Sequence, residues 1–324
     1  MASCINAVEA AFRARGAGSQ TTSAVSGVPL AGGKLHAKLA TLDLNRRYAV
    51  AKVNANLPAN PAERGLPSIQ GVVILFDATT GTPLAAIDSA SLTAIRTAAA
   101  SAVAAKWLAL RSASALAIIG CGAQAYAHLE ALLQVRSVEQ LRIYDRNRTA
   151  AEHFCRQAEK LSQLQCEVTE DIRSATLVSQ IVATLTPSRE AILGVADVSA
   201  GTFVAAVGAD SEDKQEISVE LLSAAKIIVD DLDQCAKIGD LHHAIGAGEL
   251  GTADVRASLD QIVSERVAGR TNDTDIIVFD STGVAIEDAA AAAIVYEKAE
   301  QSNAGALVDF GALPSRSVSG RSSS

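Results

Sequence analysis

Two groups of residues in this chain have the types and spacing to do chemistry. The first is a glycine-rich turn, Gly120-Cys121-Gly122-Ala123-Gln124-Ala125, between the apolar run at 116–119 and a helical pattern. It is answered by an acid, Asp145, that closes the next short β run, LRIYD. Gly120 allows the tight turn out of a strand, Gly122 lets the backbone approach a pyrophosphate, and Ala125 is small enough for close helix-on-strand packing. The N–H groups of Ala123, Gln124 and the helix start then face phosphates. Asp145 lies 25 residues beyond Gly120, near the spacing expected for an acid that binds an adenosine ribose. An acid there favours NAD over NADP, although the neighbouring Arg146 and Arg148 could reach a 2′-phosphate.

The second group is a set of charged and hydroxyl residues. Lys34, His36 and Lys38 share one face of a strand-like segment, because alternate side chains of a strand point the same way. Lys52 sits in the next such segment and Arg96 in the first turn of an alanine-rich helix, TAIRTAAASAVAAKWLA, capped by Ser91 or Thr93. Cations of this kind can clamp a carboxylate. Further along, apolar strands end at Thr184, Thr186, Pro187 and Ser188, at Gly208 and Asp210, and at Ser281, Thr282 and Gly283. Strand ends of that sort are where open α/β sheets bind ligands. Asp210 has a bland alternative, as the cap of a helix over SEDKQEI.

Elements must position these groups. An amphipathic helix over residues 4–15 turns Ile5, Val8, Ala11 and Phe12 to one side. The segment QTTSAVSGV reads as irregular, and GGKLHAKLATLD, RRYAVAKVNANL, IQGVVILFDA and PLAAIDSAS read as strands. From 116 to 283, strands and helices alternate without a fixed repeat, which predicts a doubly wound sheet. A long helix, AIEDAAAAAIVYEKAEQ, follows, and the tail RSVSGRSSS is expected to be disordered. The fold expected is α/β: a Rossmann-type nucleotide-binding domain plus an α+β substrate and dimerisation domain.

Composition narrows the partners. The chain has 324 residues, 49% of them hydrophobic, and a net charge of −8. Bulk charge argues against nucleic acid or an anionic membrane as the main partner. No apolar run is long enough to span a bilayer, and the five cysteines are scattered without CxxC spacing, so a cytoplasmic protein with free thiols is expected. His128, His153, His242 and His243 show no metal-ligand spacing, and no metal is expected.

Taken in order, AKVNANLPANPAERGLP, LTAIRTAAASAVAAKWLA, IIGCGAQA, AVGADSEDKQE and FDSTGVAIEDAAAA resemble the ornithine cyclodeaminase/mu-crystallin family. The branch with archaeal-type alanine dehydrogenase and ketimine reductases such as pyrroline-2-carboxylate reductase looks nearest. The resemblance implies a homodimer, with residues 1–108 and 284–312 forming the substrate and dimerisation domain, 109–283 the nucleotide domain, and 313–324 a tail. It implies that Lys52 and Arg96 hold the substrate carboxylate, that Asp210 acts on the substrate amine, and that Ser281 lies near the nicotinamide. Thr186 and Gly208 would line the same cofactor.

The chain departs from the family where members carry an arginine before a methionine-proline pair. Here stand His36, Ala37, Lys38 and Leu39, and His36 and Lys38 are candidates to replace the arginine without its bidentate fork. Members also precede the first helix with further strand and turn, so either the start is shortened or the dimer edge differs. The activity expected is interconversion of a small α-amino acid and its imino or oxo acid with NAD, NADP being possible. The alternative is an ornithine cyclodeaminase, a lyase forming proline and ammonia, for whose distal ammonium the sequence shows no obvious buried carboxylate. A mu-crystallin-like binding protein is a third reading, which the acid at Asp210 disfavours.

Overall fold

The computed structural model describes residues 1–19, 22–44, 46–161 and 164–308. The tail expected to be disordered lies outside these. Helix α1 (Ala2–Gly16) leads into an antiparallel five-stranded sheet in the order β1 (Ser23–Leu30), β2 (Gly33–Asp43), β3 (Arg47–Asn56), β4 (Ile69–Asp77) and β5 (Pro83–Asp88). A short helix, α2 (Asn60–Arg64), lies between β3 and β4, and α3 (Ser89–Leu108) follows the sheet. The expectation that QTTSAVSGV is irregular is corrected: β1 is a strand. It is exposed along its whole length, so it carries no buried-face alternation that the sequence could display.

The chain continues as β6 (Ala115–Ile119), α4 (Ala125–Leu133), β7 (Gln140–Tyr144), α5 (Arg148–Leu161), β8 (Gln165–Val168), α6 (Ile172–Thr176), β9 (Ile181–Thr184) and β10 (Arg189–Leu193). Then come β11 (Phe203–Ala206), β12 (Gln215–Ile217), α7 (Val219–Ala224), β13 (Lys226–Val229), α8 (Leu232–Ile238), α9 (Asp240–Gly246), β14 (Ala257–Ser258), α10 (Leu259–Val263), β15 (Ile277–Asp280) and α11 (Ala285–Ser302). The main sheet is parallel and runs β14-β13-β15-β11-β9-β6-β7-β8. The chain builds outward from β6 to β7 and β8 on one side and returns through β9 on the other. That reversal makes β6 and β9 the switch point, where the carboxyl ends of an open sheet leave a crevice. Strands β6, β9, β11 and β15 are buried throughout, as a sheet covered by helices on both faces requires.

Helix α3 is the joint between the two sheets. Asp88 caps it, accepting from Ser91 N–H at 2.8 Å, so the cap is one residue before the helix and not at Ser91 or Thr93. Its alanine-rich stretch Ala98–Ala105, with Ser101 and Val103 inside it, is wholly buried, which lets α1, α4 and α11 approach closely. Arg96 is therefore two turns into the helix interior, not in the first turn. Helix α11 returns from β15 to pack on α1, α3, β2 and β3.

Candidate active site

The glycine turn sits at the carboxyl end of β6. Gly120 has φ +98°, and a Cβ there would lie 2.9 Å from Thr186 Cγ2, so conformation and space both require glycine. Over Gly122 a Cβ would meet nothing within 4 Å, leaving the backbone open to a ligand. The buried Gln124 Oε1 has no hydrogen-bond partner among the described residues. Asp145 accepts from Cys121 N–H at 2.8 Å and from Asn147 N–H at 2.7 Å, so it ties the turn to the end of β7. Its carboxylate keeps lone pairs for ribose hydroxyls. Arg148 is committed to Glu152 and Glu170 at 3.1 and 2.7 Å, leaving Arg146 as the nearby cation without such a partner among the described residues. An open glycine, a helix start and a fixed acid fit a dinucleotide.

Thr186 and Gly208, at the ends of β9 and β11, are held together by a residue the sequence reading missed. Glu216, fully buried, accepts from Thr186 N–H (2.6 Å), Thr186 O–H (2.7 Å) and Gly208 N–H (2.7 Å). Asp240 accepts from Glu216 N–H and Ile217 N–H, and Asp280 from Leu241 N–H. Burial pushes Asp280 up to about 7, against the Leu241 N–H it accepts, and pushes Asp240 well above the carboxylate range, with Asp280 and Glu216 adding to it. Asp210 projects from the Gly208 loop, half exposed, with Lys214 Nζ at 2.6 Å. It caps no helix: SEDKQEI forms a turn and β12.

On the other side of the cleft, Lys38, Lys52 and Arg96 converge on residues 282–288. Lys52 is 2% exposed and pairs with Asp288 at 2.8 Å. Arg96 NH1 donates to Glu287 at 2.8 Å, and its Nε lies 2.9 Å from Asp288, a charge contact too bent for a hydrogen bond. Lys38 Nζ donates to the carbonyl oxygen of Gly283 at 2.6 Å, with that of Thr282 at 3.4 Å. The turn it grips is fixed from behind by buried Asp230, which accepts from Gly283 N–H (2.6 Å), Thr282 O–H (3.0 Å) and Ser281 O–H (3.4 Å).

These pairings set the charge states. Burial, then the charge of Arg96, pulls Lys52 down to about 7 against Asp288. Burial pushes Glu287 up to about 7, with Arg96 opposing, whereas Arg96 and Lys52 overcome burial and hold Asp288 below the usual range. His36 is lowered by burial, then by Lys38 and Lys52, and the charge of Asp210 opposes this. The charge of Asp210, on the loop after β11, thus reaches His36 on β2.

Beside the three cations, the buried carboxylates that the sequence did not reveal are Asp230, Glu287 and Asp288, each 0% exposed. All three already serve a cation or a backbone turn, so none is free for a distal ammonium. Two cavities of about 560 Å³ lie away from this cleft, at the amino-terminal edge of the sheet. Arg136 and Arg270, which line the first, are spent on backbone carbonyls. Among the described residues no group of three or more His, Cys, Asp or Glu is arranged to hold a metal ion, all five cysteines are free, and no helix is long and apolar enough to cross a membrane.

Comparison with known proteins gives consistent matches. The ornithine cyclodeaminase/mu-crystallin family profile matches residues 1–303. An alanine dehydrogenase from Archaeoglobus fulgidus is 37% identical over 312 residues, 96% of this chain and 94% of that protein. Among solved structures, an archaeal alanine dehydrogenase dimer with bound NAD superposes with TM-score 0.90 at 37% identity, over 95% of this chain and 94% of that one. The Thermococcus litoralis Δ1-pyrroline-2-carboxylate reductase in complex with NADH and L-proline gives TM-score 0.89 at 31% identity, over 94% and 95%.

Proposed function

The chain belongs to the ornithine cyclodeaminase/mu-crystallin family, and from that membership we propose that it is an NAD-dependent oxidoreductase interconverting a small α-amino acid and its imino or oxo acid. The observation that carries this reading is that the carboxyl ends of one parallel sheet bear both the dinucleotide-type turn after β6 and the 282–283 turn after β15, on which Lys38 and the buried Arg96 converge. Lys52 and Arg96 hold the substrate carboxylate, with Glu287 and Asp288 fixing their positions from behind. Such fixing orders the cations before substrate arrives, so little reorganisation is needed on binding. When bound, the nicotinamide supplies or accepts the hydride. Asp210 handles the proton at the substrate nitrogen: a protonated imine is the better hydride acceptor, and a nearby carboxylate stabilises that cation. Residues 1–108 with 284–308 act as the substrate-binding unit and 109–283 as the nucleotide-binding unit.

A homodimer is part of the proposal. The face of the five-stranded sheet turned away from α11 carries Val28, Leu39 and Val72, which are 53%, 46% and 37% exposed. Their register puts them on one surface. An apolar sheet face of this kind is covered in assemblies, and a second copy of the chain is the occupant the NAD-bound dimeric relative suggests.

The test is NADH oxidation with Δ1-pyrroline-2-carboxylate and with 2-oxo acids plus ammonia, run beside ammonia release from ornithine. Hydride transfer to imino acids without ammonia release supports the oxidoreductase. NAD-dependent ammonia release from ornithine, with no net change in NADH, assigns the lyase instead.

A further inference from the structure

The five-stranded sheet packs on α3 and α11. Of residues 22–88, Lys38 is, among the described residues, the only one with a hydrogen bond or ion pair to the segment 109–283. Its Nζ reaches the carbonyl oxygens of Gly283 at 2.6 Å and Thr282 at 3.4 Å. That turn is already fixed from within its own segment. Asp230 accepts from Gly283 N–H, and Gln234 Nε2 donates to the Gly283 carbonyl oxygen at 3.1 Å and to Thr282 Oγ1 at 2.8 Å. Ser281 N–H donates to the Ala206 carbonyl oxygen, at the end of β11, at 2.9 Å. The turn is therefore the anchor, and Lys38 is the tie that the sheet sends to it.

The rung of the sheet that carries this tie also carries the clamp. Lys38 stands directly opposite Lys52, about 5 Å away at Cα, and like charges placed so disfavour a sheet. The two ammonium groups part: Lys52 goes to Asp288 in the first turn of α11, and Lys38 goes to Gly283 just before that helix. The rung is thus pinned at two points along one stretch of chain. Arg96 meets the same turn, because its guanidinium occupies the space into which a side chain on Gly283 would project. Burial, then the charge of Arg96, lowers Lys38, and the charges of Asp288, Asp230 and Glu287 oppose this. Three acids stand against three cations, so Lys38 brings no surplus charge to the clamp. Its distinct contribution is where it places the rung.

We propose that Lys38 is a positioning residue: by tying the rung of Lys52 to the 282–283 turn, it sets the distance between the carboxylate clamp and the nicotinamide, and it does not itself bind substrate. This replaces the substrate contact that its place on the strand suggests, and it rests on the oxidoreductase reading of the same site. Without the tie, Lys52 and Arg96 keep Asp288 and Glu287 and still hold a carboxylate. The sheet is then free to shift against the segment that carries the cofactor, and a misplacement of about 1 Å between reacting groups costs about 10²-fold in rate.

Lys38→Met keeps most of the stem volume and removes the donor. It is compared with the unmodified protein in the NADH-dependent reduction of whichever of pyruvate plus ammonia and Δ1-pyrroline-2-carboxylate the latter turns over, with NADH affinity read by fluorescence titration and stability by urea unfolding. In the variant kcat is expected to fall by about 10- to 100-fold, with KM for the oxo or imino acid and Kd for NADH each within about 3-fold, less than 1.4 kcal/mol. The primary isotope effect on kcat with NADH deuterated at both C4 positions should rise as hydride transfer becomes the slow step. A rise in KM of about 10-fold or more with kcat retained overturns the proposal, because Lys38 is then a ligand of the carboxylate. A parallel loss of NADH affinity overturns it as well, since the turn would then depend on Lys38 and not anchor it. Unchanged kcat and KM in a less stable protein leave Lys38 a purely structural role and overturn it too. In each of these cases the oxidoreductase reading stands. Absence of NADH oxidation by the unmodified protein with every oxo and imino acid overturns both.

Discussion

Replacing Arg96 by methionine tests the cleft most directly, because the structure gives the residue two jobs. As a surface-facing clamp it could be removed with only substrate binding lost. Instead Arg96 is 4% exposed and holds two carboxylates that are fully buried. Methionine keeps most of the stem volume, so the loss is electrostatic. Removing one partner of a buried pair costs about 3 to 5 kcal/mol. Two facts soften it near pH 6: Lys52 stays 2.8 Å from Asp288 and regains basicity once the charge of Arg96 is gone, and Glu287, pushed up to about 7, already carries its proton there and leaves no bare charge behind. The low end, about 3 kcal/mol, is therefore expected near pH 6.

The pH dependence follows from Glu287. Unfolded, it ionises near pH 4.3 or so; in the native protein it holds its proton up to about 7. Between those values the native state binds more protons than the unfolded state, so stability falls with rising pH. In the unmodified protein that fall stops near pH 7. Without Arg96 the native carboxyl stays protonated further, and the fall continues at up to about 1.4 kcal/mol per pH unit. The deficit of Arg96→Met should thus be level below pH 7 and widen above it. Urea unfolding of both proteins at pH 6, 7 and 8, with equal m-values, reads it. A variant within about 0.5 kcal/mol of the unmodified protein at every pH, the scale of a neutral surface change, would refute the buried pairing.

Two further outcomes are expected. Asp210→Asn should lower turnover by roughly 10²-fold with thermal stability nearly unchanged, since its exposed pair with Lys214 contributes at most about 1 kcal/mol; near-normal turnover would mean the proton comes from elsewhere. Asp145→Ser should shift preference from NADH toward NADPH through Arg146, with a modest stability loss from the orphaned Cys121 N–H; equal use of both cofactors by the unmodified protein would dismiss Asp145 as the selector.

What the sequence made legible was local. The turn at Gly120 and Gly122, the acid 25 residues on and the apolar strand runs lie within one βαβ unit, and their physical causes act over short spans. The face shared by Lys34, His36 and Lys38 followed from strand alternation alone. Glu287 and Asp288 were illegible because acids in the first turn of a helix already have a sufficient reason to be there, the favourable end of its dipole. Asp230 likewise reads as part of an ordinary acidic strand end. Glu216 hid in a charged stretch, SEDKQE, that reads as surface. Arg96 was misplaced by one helix turn because Asp88, a residue assigned to the preceding strand, is the cap.

The pairing of Lys52 with Asp288 spans 236 residues, and that of Arg96 with Glu287 spans 191. During synthesis, the first sheet and α3 leave the ribosome long before the helix that neutralises their cations exists. Until α11 arrives, Lys52 and Arg96 have no carboxylates to be buried against, and a hydrated lysine and arginine would hold β3 and α3 apart. The intervening segment, whose eight-stranded sheet contains no strand from residues 1–108, is free to fold first. A chain ending at Gly283 is accordingly expected to protect the amides of β6, β9 and β11 from hydrogen exchange while those of β2 and β3 exchange freely; equal protection of both sheets in that fragment would show that the first one closes without its last helix.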